Sequence, residues 1–207
     1  MKRKYNIVDL FSGCGGLLDG FLQSNLCKHL ASVEWEKAPV DTLRNRLITK
    51  WGDNNANETV IQFDIQRTDE LLNGFDDDKY GKSKGLKKII GRKKVDFIIG
   101  GPPCQAYSVA GRVSIDQKEK PDYRNYLFEY YLKIVENFQP KLFVFENVPG
   151  MLSAMPDGTP IIDLIKRDIE KKGYEIVEDI RGLAILDASD YDVPQSRKRV
   201  ILVGLNK

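Results

Sequence analysis

The chain has 207 residues, 42% of them hydrophobic and 30% charged, with a formal net charge of +2. That balance suits one soluble α/β domain with a full core, and it removes any nucleic-acid argument from overall charge, so a basic footprint has to be local. Three cysteines without a Cys-x-x-Cys pair argue against a disulfide framework or a zinc site, no apolar run is long enough to span a membrane, and the Met-Lys-Arg-Lys start lacks a signal-peptide core, which points to the cytoplasm.

Tyr5–Phe11 reads as a buried strand. It runs into Ser12-Gly13-Cys14-Gly15-Gly16 and then a helical pattern through Leu17, Leu18, Phe21 and Leu22. Strand, glycine turn and helix open a nucleotide-binding βαβ unit: glycines allow a tight turn and close backbone approach, and the helix start offers free N–H donors. By itself such a turn is weak evidence, since many α/β proteins carry one for packing. Ala31–Val33 is a short second strand ending in Glu34-Trp35. The carboxylate falls about twenty residues after the turn, where it can take ribose hydroxyls, and Trp35 can stack on an adenine. The plainer readings are a solvated Glu34 and a core Trp35. The single histidine, His29, is read as a surface or packing residue, and Cys14 and Cys27 as small buried hydrophobes.

Lys37–Leu47 is helical, with Val40, Leu43 and Leu47 as its apolar stripe. Thr59–Phe63 is a third strand ending in Asp64-Ile65, with Asp64 suited to accept from an adenine amino group. Phe75–Lys94 holds three consecutive aspartates, several glycines and many lysines, and reads as a solvated insertion loop or short helix. Lys82, Lys84, Lys87, Lys88 and Arg92–Lys94 are its candidate phosphate contacts.

Val95–Ile99 is the fourth strand, and it delivers Gly100-Gly101-Pro102-Pro103-Cys104-Gln105. The two prolines stiffen the loop. Cys104 is thereby displayed at the carboxyl end of a strand, where α/β sheets keep their ligands. A core cysteine needs no such loop. Residues 106–124 form a long polar connection, and Asn125–Phe138 a helix whose apolar face holds Tyr126, Leu127, Tyr130, Tyr131, Ile134 and Val135. Lys141–Phe145 is a fifth strand ending in Glu146-Asn147-Val148-Pro149-Gly150. Ile161–Lys172 is an amphipathic helix. Tyr174–Leu186 carries the next strand, broken near Arg181-Gly182, and Val200–Leu205 is the last. Before it stands Val193-Pro194-Gln195-Ser196-Arg197-Lys198-Arg199; if extended, it puts Gln195, Arg197 and Arg199 on one side.

Gly-Pro-Pro-Cys-Gln-x-x-Ser, Glu-Asn-Val-Pro-Gly and Val-Pro-Gln-x-Arg-x-Arg, preceded by Asp-Leu-Phe-Ser-Gly-x-Gly-Gly, Val-Glu-Trp and Asp-Ile, occur here in order from Asp9 to Gly204. The set resembles the cytosine carbon-5 DNA methyltransferases. The resemblance implies a Rossmann-like α/β fold, a doubly wound, mostly parallel sheet with an antiparallel strand near the C-terminus. It implies S-adenosyl-L-methionine as cofactor, held by Phe11, Ser12, Gly13, Cys14, Gly15 and Gly16, by Glu34 and Trp35, by Asp64 and Ile65, and by Pro102. It implies Cys104 as nucleophile, with Glu146, Arg197 and Arg199 as catalytic partners. Pro103, Gln105, Ser108, Asn147 and Gln195 would meet the base or its strand, and the 106–124 loop, with Gly111 and Arg112, would close over it.

The same resemblance implies a DNA substrate, a flipped cytosine, no metal and a restriction-modification setting. Family members continue past the last strand into a target-recognition region and closing motifs. A second polypeptide carrying those parts is the expected partner if the chain is one subunit of a split enzyme; a truncated fragment and a chain working alone with poor specificity are the other accounts. An S-adenosylmethionine-binding regulatory module and a cytosine methyltransferase acting on RNA are the competing readings.

Overall fold

The computed structural model describes residues 3–103, 126–155 and 158–207. They form two compact units. The first takes the described residues up to Gly100 together with Lys133–Lys141; the second takes those from Gly101 to Leu132 and from Leu142 to Lys207.

The first unit is built on parallel strands. β1 (Tyr5–Leu10) lies between β2 (Cys27–Glu34) and β6 (Phe97–Gly100), and β3 (Val60–Gln62) pairs with the far edge of β2. Buried on both faces, these strands read as apolar runs rather than alternating ones: Ile7, Val8, Leu10, Val33, Ile98 and Ile99 are nearly or wholly inaccessible. The crossover from β1 to β2 contains α1 (Gly16–Gln23), and that from β2 to β3 contains α2 (Lys37–Trp51) and the short α3 (Ala56–Thr59). The buried residues of α2 are Val40, Leu43 and Leu47, the stripe read from the sequence. The helix runs one turn longer than expected and stops where Gly52 adopts a left-handed φ of 67°.

Phe75–Lys94, expected to be a solvated loop or short helix, holds a hairpin as well as a short helix. After α4 (Thr68–Asn73), β4 (Phe75–Asp77) and β5 (Gly81–Ser83) form an antiparallel hairpin, followed by α5 (Leu86–Ile90). Phe75, Leu86 and Ile90 are buried, and Phe75 stacks on Phe63 at 3.9 Å between centroids. The turn is set by Asp77, whose Oδ1 accepts the N–H groups of Lys79 and Tyr80. Two of the candidate phosphate-binding lysines are already engaged, Lys82 with Asp76 and Lys84 with Glu58.

Other details of this unit depart from expectation. β2 starts at Cys27, several residues early, because Cys27–Ala31 pairs with β1 despite its polar Lys28 and His29. His29 is buried; its Nδ1 meets Asp53 at 3.1 Å and its Nε2 meets the Ser32 hydroxyl at 2.9 Å. That is a packing role carried by a polar chain, and the His29 hydrogen bond holds the Asp53 carboxyl below the usual range. Cys27 is buried as read, whereas Cys14 is exposed in the glycine turn.

Asp96, wholly buried just before β6, ties this unit together. It takes the Asn6 N–H at 3.0 Å and the Lys141 ammonium at 3.2 Å, with Arg3 at 3.3 Å. Burial opposes the charged form, but these donors outweigh it and hold the carboxyl below its usual range. Its contribution to stability is therefore present above the unfolded value of about 4 and is lost as the pH falls through the folded value. Asp96→Ala should cost about 3 kcal/mol at neutral pH and flatten the acid limb of a pH–stability curve measured by urea unfolding.

The second unit is antiparallel. β10 (Lys198–Asn206) pairs with β7 (Leu142–Asn147) on one side; on the other it pairs with β8 (Tyr174–Glu175) near its end and β9 (Ile185–Asp187) near its start. The predicted strand over Tyr174–Leu186 is thus two short strands separated by a helical turn, α8 (Ile180–Leu183), capped when Asp179 accepts from the Gly182 N–H. α6 (Leu127–Phe138) sends Tyr131 into this unit, where its hydroxyl donates to the Val144 carbonyl and its ring meets Phe143 and Phe145 edge-on. α7 (Ile161–Lys171) buries Ile161, Ile165 and Ile169 at helical spacing. The fold class is α/β, with parallel strands followed by an antiparallel C-terminal strand, as the resemblance implies.

Candidate functional site

The first group of site residues gathers at the ends of β1 and β2. The backbone of the turn passes through the left-handed region at Phe11 (φ 54°), Gly13 (51°) and Gly15 (78°). Phe11 is a non-glycine residue in a sparsely populated conformation, a sign of a turn shaped by more than local preference. The Ser12 N–H donates to the Val33 carbonyl at 3.1 Å, and the Gly13 N–H donates to Glu34 Oε2 at 2.8 Å. The other Glu34 oxygen accepts the N–H groups of Trp35 and Glu36 at 2.7 and 2.9 Å. Glu34 is therefore a strand-end carboxylate locked in place, not a solvated side chain. A Cβ on Gly15 would strike Leu43 of α2, whereas one on Gly13 or Gly16 would meet nothing within 4 Å. Gly15 serves helix packing; Gly13 and Gly16 leave open space above the turn.

Trp35 is 47% exposed and is not a core residue. Its indole N–H donates to the Tyr80 hydroxyl at 2.9 Å, and Lys79 lies 5.6 Å from its ring centroid. No sequence motif marks Tyr80, because its hairpin has the composition of a solvated loop or short helix; an aromatic after three aspartates is the available signal. Asp64 caps its own turn by accepting from the Gln66 N–H at 3.0 Å, and Ile65 is buried.

The second group lies at the ends of β7 and β10. Glu146 is registered opposite Ile201, so Arg199, two residues earlier, is its diagonal neighbour on the same face. Arg199 Nε meets Glu146 Oε1 at 2.8 Å, with the side chains 24% and 29% exposed. Glu146 Oε2 lies against Gly101, where a Cβ would come within 2.7 Å of it. Asn147 is buried; its amide donates to the Pro102 carbonyl at 3.3 Å, and its Oδ1 accepts the Val148 N–H at 2.8 Å. The Gly101–Pro103 segment, which leads to Cys104, is thus tied to the end of β7. Pro102 is buried and Pro103 exposed.

Of Gln195, Arg197 and Arg199, only Arg199 lies within a strand. The chain bends at Pro194–Gln195 and β10 begins at Lys198, so the stretch is not one continuous extended run. Asp187, which no sequence motif marks, anchors the segment before β10. Its carboxylate accepts the N–H groups of Arg197 and Ser189 and the Ser196 hydroxyl, bonds that lower its pKa to about 2 and fold the 188–197 segment into a compact turn. Gln195 and Arg197 are both exposed. Cys104, Gln105, Ser108, Gly111 and Arg112 lie outside the described residues.

These features define a class: an α/β protein whose glycine turn closes on a strand-end carboxylate and which carries a guanidinium–carboxylate pair at a second set of strand ends. The family follows from comparison. Residues 5–207 match the C-5 cytosine-specific DNA methylase model, and the chain belongs to that family. It is 36% identical to the type II methyltransferase M.Bpa9945I of Bacillus paralicheniformis, across 97% of this chain and 54% of that protein. It is also 36% identical to M.DdeI of Desulfomicrobium norvegicum, across 97% of this chain and 40% of the relative. Among solved structures it superposes on an E. coli prophage protein described as a DNA modification methyltransferase, with a TM-score of 0.68 and 26% identity, covering 98% of this chain and 47% of the other. The chain spans about half the length of the relatives it matches.

Proposed function

We propose that this chain is the catalytic part, as subunit or fragment, of a DNA cytosine-5 methyltransferase of the restriction-modification type, working in the cytoplasm with target-recognition and closing parts supplied from elsewhere in the enzyme. The observation that carries the proposal is the Glu146–Arg199 pair against Gly101, beside the Gly-Pro-Pro segment that leads to Cys104. Among the described residues, no helix is long and apolar enough to cross a membrane.

In this reading Cys104, as thiolate, adds to carbon 6 of a flipped-out cytosine, which makes carbon 5 nucleophilic. Glu146 bonds ring nitrogen 3 and the exocyclic amine and offsets the charge that develops there. Arg199 holds Glu146 in place and reaches the carbon-2 oxygen, while Arg197 and Gln195, both exposed, meet the base or backbone. Asn147 keeps the Pro102–Pro103 segment in register with Glu146. S-adenosyl-L-methionine, when bound, supplies an electrophilic methyl group. The fit of this cofactor to the first site rests on the space above Gly13 and Gly16 and on the fixed Glu34 carboxylate beside exposed Trp35. Carbon 5 takes the methyl, a base removes its proton, and the Cys104 thiolate leaves.

The test is labelled-methyl transfer to mixed-sequence DNA by the chain alone and by the chain supplemented with extract of its source organism, with Cys104→Ala in both arms and tRNA as a parallel substrate. Transfer to DNA that needs both extract and intact Cys104 is the expected result. Transfer by the chain alone would remove the partner, transfer only to tRNA would replace the substrate, and no transfer in any arm would leave a binding module.

A substitution beside the pair should separate positioning from folding. Gly101→Ala pushes the Glu146 carboxylate aside while leaving the backbone unstrained. It should lower transfer roughly 10- to 100-fold while changing stability by less than about 1 kcal/mol, as read from initial rates and a urea melt.

A further inference from the structure

Asp9 stands apart from every other buried side chain among the described residues: its two carboxylate oxygens are the only buried side-chain polar atoms without a hydrogen-bond partner. It is 1% exposed, near the end of β1, two residues before the strained Phe11. Its register partners are Ser32 on β2 and Ile99 on β6. Strand periodicity then puts Glu34 on the same face, diagonal to Asp9, and the other end of Glu34 holds the Gly13 N–H. The Ser32 hydroxyl is committed to His29, whose ring is held in turn by Asp53. β6 offers only the apolar Ile99, and the one titratable side chain of α1, Asp19, is tied to Lys50 and Trp51. Glu34 is the charged group that acts on Asp9, and burial and Glu34 together push the Asp9 carboxyl well above the usual range. A site that alternates between a cationic and a neutral ligand has a use for such a carboxyl.

We propose that Asp9 matches the charge of the cofactor: its carboxyl releases a proton when S-adenosylmethionine is held at the glycine turn and recovers one when S-adenosylhomocysteine replaces it. The inference rests on the cofactor reading given above. The two ligands differ by the sulfonium charge, and a fixed positive charge in a poorly solvated site favours the ionised acid. The bond that breaks is the Asp9 O–H, its proton passes to solvent on binding, and a solvent proton restores it when the neutral-sulfur product is bound. Reactant is thereby held in preference to product, more so as the pH rises.

The experiment is titration calorimetry of the full chain with each ligand, in buffers of different ionisation heat, so that protons released on binding are counted. S-adenosylmethionine should release a substantial fraction of one proton and S-adenosylhomocysteine close to none. Asp9→Asn should abolish the difference and lower the affinity ratio of the two ligands by at least about fivefold. Equal proton counts for the two ligands in the native chain, or a difference that persists in Asp9→Asn, would overturn the inference while leaving the cofactor reading intact. Binding of neither ligand would overturn both. If Asp9→Asn does not fold, the two-ligand comparison on the native chain still decides.

Discussion

Gly204→Ala is expected to destabilise the chain by about 3 kcal/mol, one of the largest stability losses available from a single methyl group. Gly204 sits inside β10 directly opposite Phe143 of β7, and a Cβ there would land on the Phe143 ring. The ring has nowhere to go. It is wholly buried, with Tyr131 packed edge-on at 6.0 Å and Tyr174 at 5.2 Å between centroids. Tyr131 is further fixed by its bond to the Val144 carbonyl, and Tyr174 by the Asn206 amide at 3.2 Å. Glycine is ordinarily a weak strand residue, so its presence here marks close approach of an aromatic ring rather than a bend. Urea unfolding followed by circular dichroism measures the loss. Restoring space with Phe143→Leu should make the double variant less unstable than the sum of the two singles. Strict additivity would mean that the methyl and the ring do not meet.

The same contact shows what the sequence could and could not carry. A glycine within an apolar strand pattern signals close approach, but not of which ring. The parallel strands were legible because they are buried on both faces and read as continuous apolar runs, and the stripe of α2 because a two-sided helix keeps its period. The hairpin at Phe75–Ser83 was not, because its strands are three residues long and charged: Phe75 is anchored by one stacking contact and the turn by the Asp77 carboxylate. Tyr80, carried on that hairpin, was lost with it.

At the site, motif order located Glu146 and Arg199, and the antiparallel register of β7 and β10 brings them together. Gln195, Arg197 and Arg199 would share one side only in a continuous extended chain. Before β10 the chain bends at Pro194–Gln195, and the Asp187 carboxylate, about ten residues away in sequence, collects the N–H groups of Ser189 and Arg197. Asp9 illustrates a further limit. In sequence it is one polar residue in a strand, and only its lack of any donor distinguishes it.

Glu146→Gln is expected to lower methyl transfer roughly 10²- to 10⁴-fold, measured under whichever condition supports transfer by the native chain, with little change in stability. Glutamine keeps the shape but cannot share a proton with ring nitrogen 3, and it removes the charge that Arg199 Nε meets at 2.8 Å. Arg199→Lys keeps a positive charge but loses the planar guanidinium, which in the native chain reaches Glu146 through Nε while Nη1 donates to the Lys198 carbonyl at 2.7 Å. It should therefore fall between the native chain and Arg199→Ala. If the pair acts as a unit, Glu146→Gln combined with Arg199→Ala should cost no more than the worse single variant. Multiplication of the two losses would instead assign the residues independent tasks, with Arg199 on the base and Glu146 on the proton. Glu146→Gln that transferred methyl at the native rate would remove Glu146 from the chemistry and leave the ion pair as a fastening between β7 and β10.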